Sequence, residues 1–386
     1  MLLRNTQQTM KSKTQTKTIE DYYCSQKFWW ITVEPERRSI ASCCAATPDK
    51  IDLTWLRNNP GQLFNVPGLQ ADRQQMLDNQ PVASCEDTCW RAERAGLPSR
   101  RTTMGSTFKT HTDVLSIPST LHINLGSDCN LTCSYCTKQY STAWLRDIDI
   151  NGPYLDETRF TINNNDRIVL KLGQKAIKES SSYQLIVDEI RNIKTANQIE
   201  ITGGEPFLYN GLAELVASLT GPVDIFTGLG IDSKRLERIL DTLPDTVTFT
   251  VSAETVDRLY EFNRYGNTWK NFLRNLELIQ KRFSYRFCTV VSNLTVHGLQ
   301  QFRQEFGTDN DLINFCTDPD YLSASVLDPD SKVIYSHQMP DLVDTLAVEP
   351  TAEQKQKAKQ YIYRFAEIRN LKLRNFPYHF INWLDE

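Results

Sequence analysis

The 386-residue chain has no apolar run approaching the roughly 20 residues that a membrane-spanning helix needs. It also has little net charge. Its 43 basic and 47 acidic residues leave −4, which gives no support to bulk binding of nucleic acid or of an anionic membrane. Acidic residues are missing from Met1–Ile19, which is rich in Thr, Gln and Lys. No amphipathic stripe accompanies that composition, so a disordered tail (residues 1–20) is expected rather than a transit peptide. No secretory signal is evident either. Clustered cysteines in such a chain read as metal ligands before disulfides, in a reducing, cytoplasmic setting.

Ten cysteines are present, at 24, 43, 44, 85, 89, 129, 133, 136, 288 and 316. Eight fall in the first 136 residues, in two groups. Cys288 and Cys316 stand alone in apolar runs and are expected to be core residues. Apolar content of 40% and charged content of 23% are those of a globular protein. The length suits a large domain with a smaller partner, or two to three ordinary domains.

The densest group is Cys129-Asn-Leu-Thr-Cys133-Ser-Tyr-Cys136, which follows a strand-like run, Leu121–Leu125. Four thiolates close a zinc or iron–sulfur site. Three leave one metal position open for another ligand.

The earlier group lies in a compact unit over residues 21–101. An aromatic strand, Phe28–Val33, a turn at Glu34–Arg38 and a second strand, Ser39–Ser42, place Cys24 near the Cys43–Cys44 pair. A helix over Leu69–Leu77 is followed by Cys85 and Cys89, whose spacing of four puts them on one helical face. Cys24, one of the 43/44 pair, Cys85 and Cys89 are therefore expected to converge. Iron–sulfur, structural zinc and unmetallated core cysteines all fit that pattern. A polar linker is expected over residues 102–115.

From residue 116 to about 330 the pattern alternates between strand and helix. Strands are expected at Leu121–Leu125, Gln198–Thr202, Pro222–Phe226, Thr246–Val251, Arg286–Val291 and Leu312–Phe315. Helices are expected at Tyr183–Ile193, Gly211–Leu219, Ser233–Leu243, Trp269–Gln280 and Leu299–Phe306. About six such units predict an α/β fold with a parallel sheet, an open or partial barrel whose chemistry sits at the carboxyl ends of the strands. Residues 141–182 do not fit the repeat and read as an insertion, either a cover for the barrel mouth or a decorative hairpin. Residues 331–386 read as a helical extension with a helix over Ala352–Arg369.

Gly203-Gly-Glu-Pro206 follows the strand Ile199–Thr202. Two glycines at a strand end allow close backbone approach, and Glu205 can accept a charge-assisted hydrogen bond from an ammonium group. Together, Cys129, Cys133 and Cys136, with Tyr135 before the last, and Gly203–Pro206 resemble the two signatures of the radical S-adenosylmethionine (radical SAM) enzymes. The fold implied is a partial (β/α)6 TIM-like barrel. The resemblance implies a [4Fe–4S] cluster on the three cysteines, with the amine and carboxylate of SAM on the fourth iron. Tyr135 would lie near the adenine, and Glu205 with the backbone at 203 and 204 would meet the ammonium. It further places Ser252 near the ribose, Arg264 near the carboxylate and Asn293 near the ribose or adenine. It implies an external one-electron donor such as flavodoxin or ferredoxin, and a 5′-deoxyadenosyl radical that takes hydrogen from a substrate.

The N-terminal set of Cys24, Pro35, Cys43-Cys44, Cys85, Cys89, Glu93, Ala95-Gly96 and Ser99–Arg101 resembles the SPASM/twitch modules. This implies a small α+β domain with an auxiliary [4Fe–4S] cluster on Cys24, Cys43, Cys85 and Cys89; spacing from the turn favours Cys43. Here the module precedes the barrel, where the usual order is the reverse, and Arg37-Arg38 stand where a glycine is common. The function expected is a radical SAM enzyme acting on a peptide, protein or small metabolite. The alternatives are a nucleotide- or nucleic-acid-modifying relative, a non-catalytic iron–sulfur relay, and a zinc protein without redox chemistry.

Overall fold

The computed structural model describes residues 21–96, 98–109, 111–308 and 310–386. The tail expected over residues 1–20 lies outside them. The chain divides into two compact units, one of residues up to 32 with 39–119, the other of 33–38 with 120–386.

In the first unit, α1 (Gln26–Trp29) takes up the start of the expected aromatic strand, and β1 (Trp30–Glu34) begins where β-branched residues take over. The chain turns at 35–38, residues that belong to the second unit, with Arg38 in the left-handed region at φ 50°. There follow β2 (Ser39–Ala41), β3 (Asp49–Lys50) and α2 (Leu53–Asn58). β2 and β3 pair antiparallel, and the Asp52 carboxylate caps α2 through the Thr54 and Trp55 amides. α3 (Pro67–Leu77) starts at a proline, where the missing N–H costs nothing. A π-helical turn, Glu86–Trp90, leads into α4 (Arg91–Arg94), and Ser99 caps α5 (Arg100–Thr103).

The stretch 102–115, expected as a polar linker, packs on the first unit. The buried Arg73 guanidinium donates to the Val114 carbonyl at 2.6 Å, and the Gln26 amide donates to Ser106 Oγ at 3.0 Å. Those contacts tie it to the first unit, so the boundary falls at 119/120.

The second unit opens with β4 (Thr120–Asn124) and β5 (Thr132–Cys133). α6 (Thr142–Asn151), α7 (Asn164–Lys178) and α8 (Ser181–Arg191) follow. The insertion is thus helical and not a hairpin. α7 is kinked at Gly173, φ 74°, and Gln174 beyond the kink donates to Ser127 Oγ at 3.1 Å and Glu36 Oε1 at 3.2 Å. Next come β6 (Gln198–Thr202), α9 (Leu212–Ser218), β7 (Val223–Thr227), α10 (Ser233–Leu240) and β8 (Thr248–Ser252). α11 (Asp257–Asn263), β9 (Arg264–Tyr265), α12 (Trp269–Gln280), β10 (Ser284–Val291), α13 (Val296–Phe306) and β11 (Leu312–Phe315) complete the repeat. α14 (Pro329–Gln338), α15 (Val343–Leu346), α16 (Ala352–Ile368) and α17 (Tyr378–Asp385) form the extension.

The strands β11, β10, β8, β7, β6 and β4 lie side by side, all parallel. This is the partial barrel expected. Its apolar positions, among them Ile123, Ile201, Ile225, Phe249 and Phe287, are fully buried. A second apolar core joins α6 and α11 to the extension through Trp144, Phe262, Tyr361, Phe365, Phe376 and Phe380. Among the described residues no helix is long and apolar enough to cross a membrane.

Candidate functional site

The parallel sheet ends on one edge in a loop, residues 125–136, that carries three thiols. Cys129 and Cys133 are buried and Cys136 is half-buried. The loop is held from several sides. Trp144 Nε1 donates to the Cys133 carbonyl at 2.9 Å, and Ser141 Oγ to the Leu131 carbonyl at 2.6 Å. The Tyr361 hydroxyl donates to the Ser134 carbonyl, and Arg369 Nε to Thr132 Oγ1 at 3.1 Å. Burial pushes all three thiols up, Cys136 to about 12, and Cys133 adds to the rise at both of its neighbours. Thiols near enough to repel one another as thiolates, in a dry loop, fit a shared cationic centre that would neutralise them.

Gly203 and Gly204 strap this loop. Gly203 sits at φ 136°, a region open to glycine, and a Cβ at Gly204 would stand 2.3 Å from the Asp128 carbonyl oxygen and 2.8 Å from Cys129 Cβ. The Gly204 and Glu205 amides donate to the Gly126 and Asp128 carbonyls, each at 2.7 Å. The two motifs, 67 or more residues apart in sequence, are thus one backbone unit. Pro206 starts a buried 3-10 turn, Pro206–Leu208.

Glu205 is enclosed by donors of the chain itself. Its carboxylate is 2% exposed and accepts from Thr227 Oγ1 at 2.8 Å, Gly228 N at 3.1 Å and Phe207 N at 3.3 Å. Burial raises its pKa, and these donors, with the Gly230 amide, oppose the rise. An ionised carboxylate offers about four acceptor positions, so the chain itself takes most of what an ammonium group would use.

Ser252 is half-buried at the end of β8. The fully buried Asn293 follows β10, and its Nδ2 donates to the Tyr321 and Val326 carbonyls at 3.1 and 3.3 Å, while its Oδ1 has no partner. Thr255 Oγ1, beyond β8, is likewise buried and unpartnered. Orphaned polar atoms at two strand ends are a cradle that a polar cofactor could satisfy. Tyr135 and Arg264 are drawn together by a residue that the sequence reading passed over, Glu254. The Tyr135 hydroxyl donates to Glu254 Oε1 at 3.1 Å and Arg264 Nη2 donates to Glu254 Oε2 at 2.7 Å. β5 and β9, each two residues long, are too short to show a period in sequence, which is why this set was not visible.

A cavity of about 900 Å³ opens on the same loop. It is lined by Tyr135 and Cys136 from the loop, Lys138 just after it, Glu157 and Arg159 from the insertion, and Tyr321 after β11.

In the first unit, Cys24, Cys43, Cys85 and Cys89 are buried around one small cavity, with Lys27, Arg100 and Arg101 in its wall; Cys44 is exposed. Burial pushes the Cys24 thiol to about 12, and the other three cysteines add to the rise. Cys43 is drawn down to about 6, first by its hydrogen bond with Cys44, then by the Ala45 amide and the Arg100 and Lys27 charges against burial. Lys27 is 1% exposed and reaches Asp72 Oδ2 at 2.6 Å and Ser84 Oγ at 2.7 Å. Arg100 Nε is buried with no partner. Four thiols ringed by cations, with one donor left over, suit an anionic centre. Among the described residues no three His, Cys, Asp or Glu side chains are grouped to hold a single metal ion. Cys288 and Cys316 are core residues; Cys288 Sγ accepts from Asn314 Nδ2 at 3.0 Å.

Residues 123–306 match the family model described as the Radical SAM superfamily. No curated protein matches the chain. Among solved structures, the chain is similar to native anSMEcpe with bound AdoMet at 18% identity and TM-score 0.36, over 60% of this chain and 62% of that one. It is also similar to SuiB of Streptococcus suis bound to the precursor peptide SuiA, at 17% identity and TM-score 0.33, over 61% and 48% of the two chains. The chain thus spans less than two thirds of the length of either.

Proposed function

We propose that this protein is a radical SAM enzyme, with a [4Fe–4S] cluster on Cys129, Cys133 and Cys136 and an auxiliary [4Fe–4S] cluster on Cys24, Cys43, Cys85 and Cys89. One observation carries the reading. Three buried or half-buried thiols sit in one loop at the carboxyl edge of the parallel sheet, strapped by Gly203–Gly204, within the stretch that matches the Radical SAM family model. When bound, the cluster and SAM together would supply a 5′-deoxyadenosyl radical able to take hydrogen from a substrate.

The chain's own residues supply the setting. Trp144, Tyr361, Ser141 and Arg369 fix the loop carbonyls and its hydroxyl, so the three sulfurs keep their spacing without a ligand. The apolar wall of Leu131 with Tyr135 keeps water from the thiols. Ser252, Thr255 and Asn293 offer polar atoms to the nucleoside part of SAM. The cavity beside Cys136 is where a substrate would meet the radical. In the first unit, Lys27 and Arg100 would offset the charge of the auxiliary centre.

Anaerobic reconstitution tests this. About eight irons per chain are expected for two four-iron clusters, and dithionite with SAM should release 5′-deoxyadenosine. Cys133→Ala should abolish that product. A protein that binds zinc alone would sink the proposal.

A second reading, an iron–sulfur relay that does not turn over SAM, has one observation in its favour. The Glu205 carboxylate is taken up by Thr227, Gly228 and Phe207. A loaded cluster with no 5′-deoxyadenosine would favour it.

A further inference from the structure

Arg264 stands directly opposite Cys133 in the short antiparallel ladder of β5 and β9. Side chains opposed in such a ladder begin about 5 Å apart, so the backbone itself brings this guanidinium to the middle thiol of the loop. The register is locked next door, where the Ser134 amide donates to the Asn263 carbonyl and Ser134 Oγ to Asn263 Oδ1, each at 2.8 Å. Arg264 Nη1 lies 3.9 Å from Cys133 Sγ, within reach of an N–H···S contact.

The other two nitrogens of the fork are taken. Nε and Nη2 donate to Glu254 Oε2 at 3.3 and 2.7 Å, Nη2 also donates to the Tyr135 hydroxyl, and that hydroxyl donates to the other Glu254 oxygen. Glu254 is fully buried and Arg264 nearly so. Three of the five guanidinium N–H groups are thus taken by Glu254 and Tyr135. The carboxylate that Arg264 pairs with belongs to the chain.

We infer that Arg264 is a positioning residue for the Cys133 sulfur, aimed by Glu254 and Tyr135, and that it tunes the centre held on that sulfur instead of binding the carboxylate of SAM. This rests on the reading of Cys129, Cys133 and Cys136 as cluster ligands. Hydrogen bonds to the sulfurs and local charge are among the factors that set an iron–sulfur potential. Glu254 offsets the formal charge of Arg264, so the effect comes from Nη1, the one nitrogen left facing the sulfur. It favours the reduced, more negative form of the centre.

The test compares Arg264→Lys and the double variant Arg264→Met with Glu254→Met against the wild type. The lysine keeps the charge and loses the fork. The double variant removes both buried charges, so that neither is left unpaired. Each reconstituted protein is measured for iron content, for the midpoint potential of the SAM-sensitive EPR signal, and for SAM affinity by equilibrium binding. The expected result is retained iron, a midpoint potential moved to more negative values in both variants, and SAM affinity unchanged. An unmoved potential in both variants, or SAM binding about tenfold weaker with the potential unmoved, would overturn the inference. Folded double variant that loses iron from this loop alone supports the positioning role. A wild-type protein that takes up no iron fails the cluster reading itself, and does so before any variant is made.

Discussion

At Gly204 the distance between a working site and a distorted one is a single methyl group. Alanine there would press on the Asp128 carbonyl and on Cys129 Cβ, and neither is the end of a flexible chain. Overpacking of this kind costs about 1–3 kcal/mol. Gly204→Ala should lower the melting temperature and reduce iron uptake on reconstitution. A variant with wild-type iron and stability would show that the strap is not needed. The same residue scale explains Glu205. A carboxylate buried this deeply is held by whatever donors are nearest, and here those are Thr227 and two loop amides. The motif was legible as a motif; its donors Thr227 and Gly228 were not, because they lie 22 and 23 positions away.

At the scale of elements, the extension is a brace on the cysteine loop. Arg369, just beyond α16, is 7% exposed. It donates to Thr132 Oγ1 at 3.1 Å, to the Tyr154 hydroxyl at 2.6 Å and to Asp147 Oδ2 at 3.1 Å, and lies 4.9 Å from the centre of the Trp144 ring. Tyr361, inside α16, holds the Ser134 carbonyl. Tyr361→Phe leaves that carbonyl without its donor and should cost about 1–2 kcal/mol. Arg369→Met breaks a buried pair and should cost about 3 kcal/mol. Both are read by denaturant unfolding, and both should release iron from this loop faster under a chelator. The helix over 352–368 was legible from its pattern; that it reaches the cysteine loop was not, since the partners are more than 200 residues apart.

His297 makes a second link between elements. Its Nδ1 meets the Tyr335 hydroxyl of α14 at 2.8 Å, and its ring packs 4.3 Å from that of Phe380 in α17. Burial first, then the charge of His379, pushes its pKa down to about 3 from an ordinary 6.5. The folded state therefore favours the neutral ring, and the unfolded chain binds the proton more readily. Stability present above pH 6.5 should fall as pH drops from about 6.5 toward about 3. His297→Gln should flatten that decline in unfolding measured against pH. An unchanged profile would assign it to other groups.

At the scale of the whole molecule, the two cysteine sets lie in different units. Their metal contents should therefore separate. Cys89→Ala should lower reconstituted iron by about half and spare cleavage of SAM, while stopping turnover of the substrate. Loss of all iron from this one substitution would mean that the two sites do not load independently.

The amino-acid sequence by itself determined the alternation of strands and helices, the three-cysteine loop, and its partner motif at 203–206, because each is a local pattern with a local physical cause. Periodicity marks a strand or helix, and spacing marks a ligand set. It also placed the four earlier cysteines together and favoured Cys43 over Cys44. Only the tertiary structure decided that Cys43 faces the cavity and Cys44 does not, and that residues 102–115 pack on the first unit. It alone made the insertion helical, closed Glu205 on β7, and set Arg264 across from Cys133. Each of those depends on contacts between residues distant in the chain. Side-chain direction is settled by packing and by the competition for hydrogen-bond donors, which no local pattern records.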